Sequence, residues 1–167
     1  MFRRRSSSTL ALIGFAFALL IIALDQASKY WILYILDLDA GGAGSSIEVL
    51  PFFNLTMVWN RGISFGLFQA QALWQSLILF AFSLAVSGLL CAWMLRAERR
   101  LQVFAYGAII GGAIGNAIDR AIYGAVADFL DFSDLGFSWV FNVADMAINV
   151  GVGLLLLDLV LNSEKSK

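Results

Sequence analysis

Four long apolar stretches dominate the pattern of hydrophobic and polar positions along the chain. They cover residues 10–36, 73–95, 101–118 and 140–157, and few charges interrupt them. A helix of about 20 apolar residues is long enough to cross a hydrocarbon core of roughly 30 Å. The pattern therefore predicts an all-α membrane protein with four transmembrane helices, in a single integral-membrane domain that covers residues 1–167.

The longest polar-leaning segment, residues 37–71, lies between the first two stretches. Within it, Phe53, Leu55, Met57 and Trp59 alternate with Asn54, Thr56, Val58 and Asn60. This period of two predicts a strand with one apolar face, beginning after Pro51. We expect a small extracytoplasmic β-element here, lying on the outer membrane interface with its apolar face against lipid or a bound substrate. The glycines and serines of residues 41–46 are typical of a flexible linker.

Composition supports a lipid environment and excludes several kinds of chemistry. Hydrophobic residues make up 60% of the chain and charged residues 14%, against about 45–50% and about 25% in soluble domains. The absence of histidine and the single cysteine, Cys91, exclude Ser-His-Asp, Cys-His and HExxH sites, disulfides within the chain and thiolate zinc clusters. An enzyme of this composition must use carboxylates, lysine, serine or the backbone. The arginines occur in short clusters beside apolar runs, so we expect no nucleic-acid partner.

The positive charges predict the orientation of the chain. One side of the membrane would carry Arg3, Arg4, Arg5, Arg96, Arg99, Arg100, Lys165 and Lys167, and the other only Lys29, Arg61 and Arg120. Because positively charged loops stay inside, both termini are predicted to be cytoplasmic. We expect the first stretch to remain as a span rather than be removed as a signal peptide, since no small-x-small cleavage site follows it.

Polar residues from three spans fall at one predicted depth. With a rise of about 1.5 Å per residue, Asp25, Asn116 and Asp145 lie roughly 22 Å from the inner boundary and Asp119 roughly 27 Å. The apolar residues of segment 124–132 should return that segment to the membrane, and they bring two further carboxyls, those of Asp128 and Asp131. The polar groups therefore converge near the outer surface.

Helical spacing groups these residues on three faces. The groups are Asp25 with Lys29; Asn116 with Asp119 and Arg120; and Asn142 with Asp145 and Asn149. Because a charge facing lipid at mid-span costs about 2.5–3.5 kcal/mol, we expect all three faces to point into the bundle.

Several interpretations of these polar residues remain open. Asp25 with Lys29, and Asp119 with Arg120, are read as structural ion pairs, and the asparagines as interhelical contacts or substrate ligands. Asp128 and Asp145 have no adjacent cation in the sequence, and two such carboxylates close together share a proton, which suits general acid–base chemistry. Two charges at the cytoplasmic end are predicted to be solvated, those of Asp158 and Glu164.

Three rival functions follow from the same residues. A Ser-Lys dyad cannot form between Ser28 and Lys29, whose side chains diverge by about 100° on a helix, although Ser64 with Lys29 is geometrically possible. A proton-coupled transporter would need polar groups through the full depth of the bundle, and the inner halves of the stretches offer almost none. A purely structural scaffold does not explain why the polar groups converge at one depth.

Five segments of the chain resemble the lipoprotein signal peptidase family, also called signal peptidase II, the bacterial aspartyl membrane proteases. They occur in the family's order: Leu-Asp-Gln-Ala-Ser-Lys at 24–29, Trp-Asn-Arg-Gly-Ile-Ser-Phe-Gly at 59–66, Gly-Gly-Ala-Ile-Gly-Asn-Ala-Ile-Asp-Arg at 111–120, Val-Ala-Asp-Phe at 126–129 and Phe-Asn-Val-Ala-Asp at 141–145. Three positions depart from the expected pattern, namely Arg61, Ile63 and Met146, the last of which is often serine in the family.

The resemblance implies a catalytic pair, Asp128 and Asp145. It also implies supporting or substrate-binding roles for Asp25, Lys29, Asn60, Gly62, Asn116, Asp119, Arg120 and Asn142. The implied activity is the removal of signal peptides from diacylglyceryl-modified prolipoproteins by cleavage just before the modified cysteine. By the same resemblance we expect a bacterial inner-membrane protein that acts as a monomer among membrane lipid, with its active site near the outer face and with no metal or cofactor.

Overall fold

Four long helices form most of the described chain, which comprises residues 7–42, 44–62 and 73–163 of a computed structural model. They are α1 (Ser7–Tyr30, extended by a π-helical turn over Trp31–Ile35), α2 (Leu73–Met94), α3 (Arg100–Tyr123) and α4 (Val143–Ser163). Each is long and apolar enough to cross a membrane. The four predicted spans are confirmed.

Helix α3 is the centre of the bundle. Two-thirds of its apolar span is buried, against 17–28% for the other three helices. Small residues allow this close packing: a Cβ atom at Gly112 would meet the carbonyl oxygen of Ala144, and one at Gly115 would meet the carboxylate of Asp25. These glycines let α1 and α4 approach α3 at the level where the polar residues lie.

A four-stranded antiparallel sheet accompanies the helices. Its order is β1 (Ser46–Leu50), β2 (Phe53–Asn60), β3 (Val126–Phe132) and β4 (Phe137–Phe141). The predicted strand is therefore confirmed as β2, which pairs with β1 between the first two spans, but the other half of the sheet was not predicted. Half of the sheet follows α3, because residues 126–132 pair with β2 and turn back through β4.

The apolar face of β2 contacts protein rather than lipid or a substrate, contrary to the prediction. Leu55 and Met57 are buried against Ile32 and Leu33 of the π-helical turn and against Phe129 of β3. This cluster attaches the sheet to the end of α1. The polar face of β2 lies on the opposite side of the strand and is not part of the cluster.

The glycine-rich segment before β1 is held in place rather than acting as a free linker. Gly44 N–H donates to the carbonyl of Met57 at 3.1 Å, and Met57 N–H donates to the carbonyl of Ser45 at 2.9 Å. Gly42 and Gly44 have φ values of 88° and 85°, which glycine adopts at little cost. The segment therefore packs along β2; its residue 43 lies outside the described chain.

Helix boundaries differ from the prediction at the sheet. Helix α3 continues to Tyr123 and stops at Gly124, whose φ is 70° and whose N–H donates to the carbonyl of Arg120. Helix α4 begins at Val143 rather than at residue 140, since residues 137–141 pair with β3. Asp145 consequently lies in the first turn of α4 and not a turn and a half inside it.

At the opposite end of the bundle, Asp158 is buried, which corrects its prediction as a solvated charge. Its Oδ2 lies 3.2 Å from Arg99 Nη1, and its Oδ1 accepts a hydrogen bond from Asn162 Nδ2 at 3.1 Å. The pair joins the start of α3 to α4. Glu164 and the basic residues of the two termini lie outside the described residues.

Candidate active site

Asp128 projects from β3 into a buried site, where it is 1% exposed. Its Oδ1 accepts a hydrogen bond from Asn142 Nδ2 at 2.6 Å, and its Oδ2 accepts one from Asn60 Nδ2 at 2.9 Å. The amide of Asn60 is itself oriented, because its Oδ1 accepts the N–H of Gly62 at 2.9 Å. Both carboxyl oxygens are thus held by asparagines whose orientation is fixed.

Asp145 is the third residue of α4, and its Oδ1 accepts a hydrogen bond from Asn116 Nδ2 at 2.8 Å. Asn142 caps this helix: its Oδ1 accepts the N–H of Asp145 at 2.9 Å. The positive end of a helix dipole stabilises negative charge at this position. Asn142 Nδ2 is also 3.2 Å from Asn116 Oδ1, so two asparagines connect the two carboxyl groups.

The pKa of Asp128 is raised from 3.8 to about 7. Burial is the largest cause, because it disfavours the charged form, and the negative charge of Asp145 adds to it. The hydrogen bonds from Asn60 and Asn142 and the positive charge of Lys29 oppose the shift. Asp128 therefore keeps its proton up to about pH 7, well above the range of an exposed aspartate.

Lys29 is the centre of a buried charge cluster beside the pair. Its Nζ lies 2.8 Å from Asp25 Oδ2, 2.9 Å from Asp119 Oδ2 and 3.2 Å from Asn116 Oδ1. The predicted Asp25–Lys29 pair is present, but the predicted pairing of Asp119 with Arg120 was wrong. Adjacent residues on a helix point about 100° apart, and Asp119 faces α1 instead.

The two carboxylates of this cluster each accept a backbone N–H from the residue before one of the paired aspartates. Asp25 Oδ1 accepts the N–H of Ala144 at 2.9 Å, and Asp119 Oδ2 accepts the N–H of Ala127 at 3.1 Å. The local sequence is Val-Ala-Asp in both places. Through these contacts Lys29 connects α1 and α3 to the backbone that carries Asp128 and Asp145.

Arg120 connects the end of β2 to α3. Its Nη2 donates to the carbonyl of Gly62 at 3.0 Å and its Nη1 to the carbonyl of Asn116 at 3.3 Å. Together with Asn116 and Asp145 it lines a cleft of about 230 Å³ between α2, α3 and α4. This cleft combines an apolar wall with a guanidinium and an amide beside one carboxyl of the pair.

Some of the predicted polar residues do not join the site. Asp131 instead accepts hydrogen bonds from the Thr56 hydroxyl at 2.6 Å and the Ser133 N–H at 2.9 Å. Asn149 is exposed on the surface of α4, so the prediction that its whole helical face points into the bundle was wrong. Asn142, which precedes α4 as its cap, and Asp145 are buried, whereas Asn149 is not.

The serine–lysine alternative finds no support in the described residues. Ser28 Oγ donates to the carbonyl of Asp25 at 2.7 Å and so turns toward its own helix, while Lys29 Nζ is surrounded by the carboxylates described above. Ser64 and Ile63 lie outside the described chain. Among the residues that the structure describes, no group of three or more Cys, Asp or Glu side chains is arranged to hold a metal ion.

Gln26 was missed by the sequence reasoning. Its Nε2 lies 3.1 Å from Asp25 Oδ2 and 3.0 Å from Asp119 Oδ1, so it binds both carboxylates of the lysine-centred cluster. The signal was available, because Gln26 and Lys29 are three residues apart and share a helix face.

Fold and site together define a membrane protein of four helices whose buried polar centre carries two aspartates connected through hydrogen-bonded asparagines. The model of the signal peptidase II family matches residues 17–161. The chain belongs to the signal peptidase II family, and the resemblance noted from its motifs is confirmed.

Related proteins agree over nearly the full length. The chain is 45% identical to the lipoprotein signal peptidase of Nitrobacter hamburgensis, over 92% of this chain and 95% of that protein. It is 48% identical to the lipoprotein signal peptidase of Caulobacter vibrioides, over 91% and 89%. A bacterial membrane enzyme solved by the in meso method at 2.3 Å superposes with a TM-score of 0.79 at 28% identity, covering 93% of this chain and 92% of that chain.

Proposed function

We propose that this chain is a membrane aspartyl endopeptidase that removes signal peptides from prolipoproteins, with Asp128 and Asp145 as its catalytic pair. Family membership and the names of its relatives support the activity. The observation that carries the assignment of the pair is the hydrogen-bonded connection of the two carboxyls through Asn142 and Asn116. Burial and then the charge of Asp145 raise the pKa of Asp128 to about 7, which agrees with it. One buried carboxyl that keeps a proton beside a second carboxylate is the arrangement used by aspartic proteases.

The proposed reaction assigns different tasks to the two carboxyls. Asp145 takes a proton from a water molecule as the water oxygen bonds to the carbonyl carbon of the scissile peptide. Protonated Asp128 donates its proton to the carbonyl oxygen, which gives a neutral tetrahedral intermediate. When the C–N bond breaks, the proton held by Asp145 passes to the leaving amine and Asp128 regains the proton from the intermediate's hydroxyl. Both carboxyls then have their initial states.

The groups around the pair suit a peptide substrate. Arg120 lines the cleft between α2, α3 and α4 beside Asp145, where its guanidinium can donate a hydrogen bond to a carbonyl of the peptide. The amide of Asn116 is already bound to Asp145 and Lys29, so we assign it to holding the site together. We assign Asn142 and Asn60 to holding Asp128, and Asp25, Lys29 and Asp119 to positioning the backbone that carries both aspartates. Gly62 contributes the carbonyl that holds Arg120.

The proposed substrate carries a diacylglyceryl group on the cysteine that follows the scissile bond. We further propose that both termini face the cytoplasm of a bacterium and that the pair lies near the outer face of the inner membrane. The turn between α2 and α3 supports this orientation, since Arg96, Arg99 and Arg100 lie there, at the other end of α3 from Asn116 and Asp119. A lipid-anchored substrate presents its scissile bond at such a boundary.

Cleavage by the purified chain tests the proposal directly. A peptide with a lipobox and a diacylglyceryl-modified cysteine is incubated with the protein in detergent or vesicles, and the products are weighed by mass spectrometry. We expect a single cut on the N-terminal side of the modified cysteine, at a rate that a chelator leaves unchanged. No cut in the modified peptide, or equal cleavage of a peptide with unmodified cysteine, would show that the proposed activity is wrong.

The rate should depend on pH through Asp128. Its raised pKa means that the protonated form, which the reaction needs, is fully present at pH 5 and is lost as the pH rises through about 7. We expect kcat/KM to fall about tenfold for each pH unit well above that value. Initial rates between pH 5 and 9, with the fold monitored by circular dichroism, measure this limb. A rate that stays level from pH 6 to 9 would rule out protonated Asp128 as the acid.

A further inference from the structure

A second groove opens beside Asp145, on the side of α4 away from the cleft that Arg120 lines. Its volume is about 280 Å³. We call it the β4–α4 groove; its strand wall includes Phe137, Trp139 and Phe141, and its helix wall includes Asp145, Met146 and Asn149. Because Asp145 lies at the boundary of both spaces, a substrate cut at the pair can extend into each of them.

Asn149 is a costly residue in this position. It lies in the second turn of α4, exposed on a helix whose neighbours Val150 and Met146 are also exposed apolar residues. Its side-chain amide makes no hydrogen bond within the described residues. A polar group left unsatisfied in an apolar environment is unfavourable, and neither the fold nor the proposed reaction uses this one. A bound ligand with a hydrogen-bond acceptor would account for it.

The lining of the groove indicates which part of the substrate it holds. Its polar side chains are few, those of Trp139, Asp145 and Asn149, whereas a peptide needs a partner for an N–H and a C=O at each residue. The peptide finds a polar partner in the other cleft, the guanidinium of Arg120. Apolar chains with a short polar linker match the aromatic wall and the single amide.

We propose that the β4–α4 groove binds the glyceryl ester linker of the substrate's diacylglyceryl group, with Asn149 Nδ2 donating a hydrogen bond to an ester carbonyl. Asn149 is four positions after Asp145, about 6 Å along the helix. A short thioether and glyceryl linker spans a distance of this order between the scissile bond and the first ester. The acyl chains then leave along Met146 and Val150 toward lipid. This inference rests on the proposed function.

Two matched substrates test it. One is the diacylglyceryl peptide, and the other carries the same chains through ether links, which lack the carbonyl acceptor. We expect Asn149→Leu to lower kcat/KM for the ester substrate by roughly 3- to 10-fold, through KM, and to leave the ether substrate unchanged. Ser83→Ala, which removes a polar group from the cleft that Arg120 lines, is the control and should affect both substrates alike.

The outcomes separate the two proposals. A selective loss on the ester substrate supports the assignment of the β4–α4 groove. Equal losses on both substrates, or no loss on either, overturn it, because Asn149 would then contact another part of the substrate or none. If the wild-type protein cuts neither substrate, the proposed function itself has failed.

Discussion

Asp128→Asn and Asp145→Asn should each reduce kcat for a lipidated precursor by about 100- to 10,000-fold, the range for loss of a general acid or base. Asparagine has the shape of aspartate but cannot transfer the proton. Because the two carboxyls act as a unit, the double variant should be no less active than the slower single variant. Gel mobility of the precursor over long incubations, at matched protein levels, measures the loss.

A stability measurement distinguishes loss of catalysis in these variants from misfolding. Since the pKa of Asp128 is higher in the folded protein than the usual 3.8, the folded state binds the proton more tightly than the unfolded chain does. The stability that this group contributes is therefore fully present below about pH 4 and is lost as the pH rises through about 7. Asp128→Asn should unfold cooperatively and lack that part of the decline. Normal processing by both folded variants would contradict the proposed pair.

Lys29→Met should destabilise the protein by about 3–5 kcal/mol, because it leaves Asp25 and Asp119 as uncompensated buried charges. The lysine side chain is 3% exposed and touches both carboxylates. We also expect activity to fall in the protein that remains folded, since those carboxylates hold the N–H groups of Ala144 and Ala127. Thermal unfolding in detergent and single-turnover rates on the folded fraction measure the two effects.

Two further variants serve as controls for Lys29→Met. Arg99→Met removes a half-exposed cation from the ion pair at the far end of the bundle and should cost less, with kcat unchanged. The triple change of Asp25→Asn, Lys29→Met and Asp119→Asn removes the buried charges together and should recover much of the lost stability. Full activity in Lys29→Met would mean that the cluster does not position the pair.

The four spans were predictable because hydrophobicity over 20 residues is a strong and local signal. The second half of the sheet was not, since Val126–Phe132 carries two aspartates that obscure its alternation. Those aspartates are tolerated because each of them accepts a hydrogen bond from a polar side chain of β2. Asn60 binds Asp128, and Thr56 binds Asp131. Such pairing depends on register between strands far apart in sequence, which a single sequence does not reveal.

Depth and helical spacing predicted which polar residues lie at one level, but not which of them contact each other. The convergence of Asp25, Asn116 and Asp145 on one level was a matter of helix rise, and the structure joins them in one hydrogen-bonded network. Assigning Arg120 to Asp119 relied on sequence adjacency, whereas contacts in a bundle depend on which helix a side chain faces. Lys29 reaches Asp119 because α1 and α3 pack closely at Gly115.

The two Val-Ala-Asp segments also show which backbone contacts hold the aspartates in place and which neighbouring segment takes no part in them. The spacing of the aspartates depends on two alanine amides anchored to α1 and α3, and the hairpin of residues 133–140 contributes nothing to those anchors. That hairpin supplies an aromatic wall beside the site. We therefore expect that side chains of this hairpin can be changed without moving the two alanine amides that precede Asp128 and Asp145.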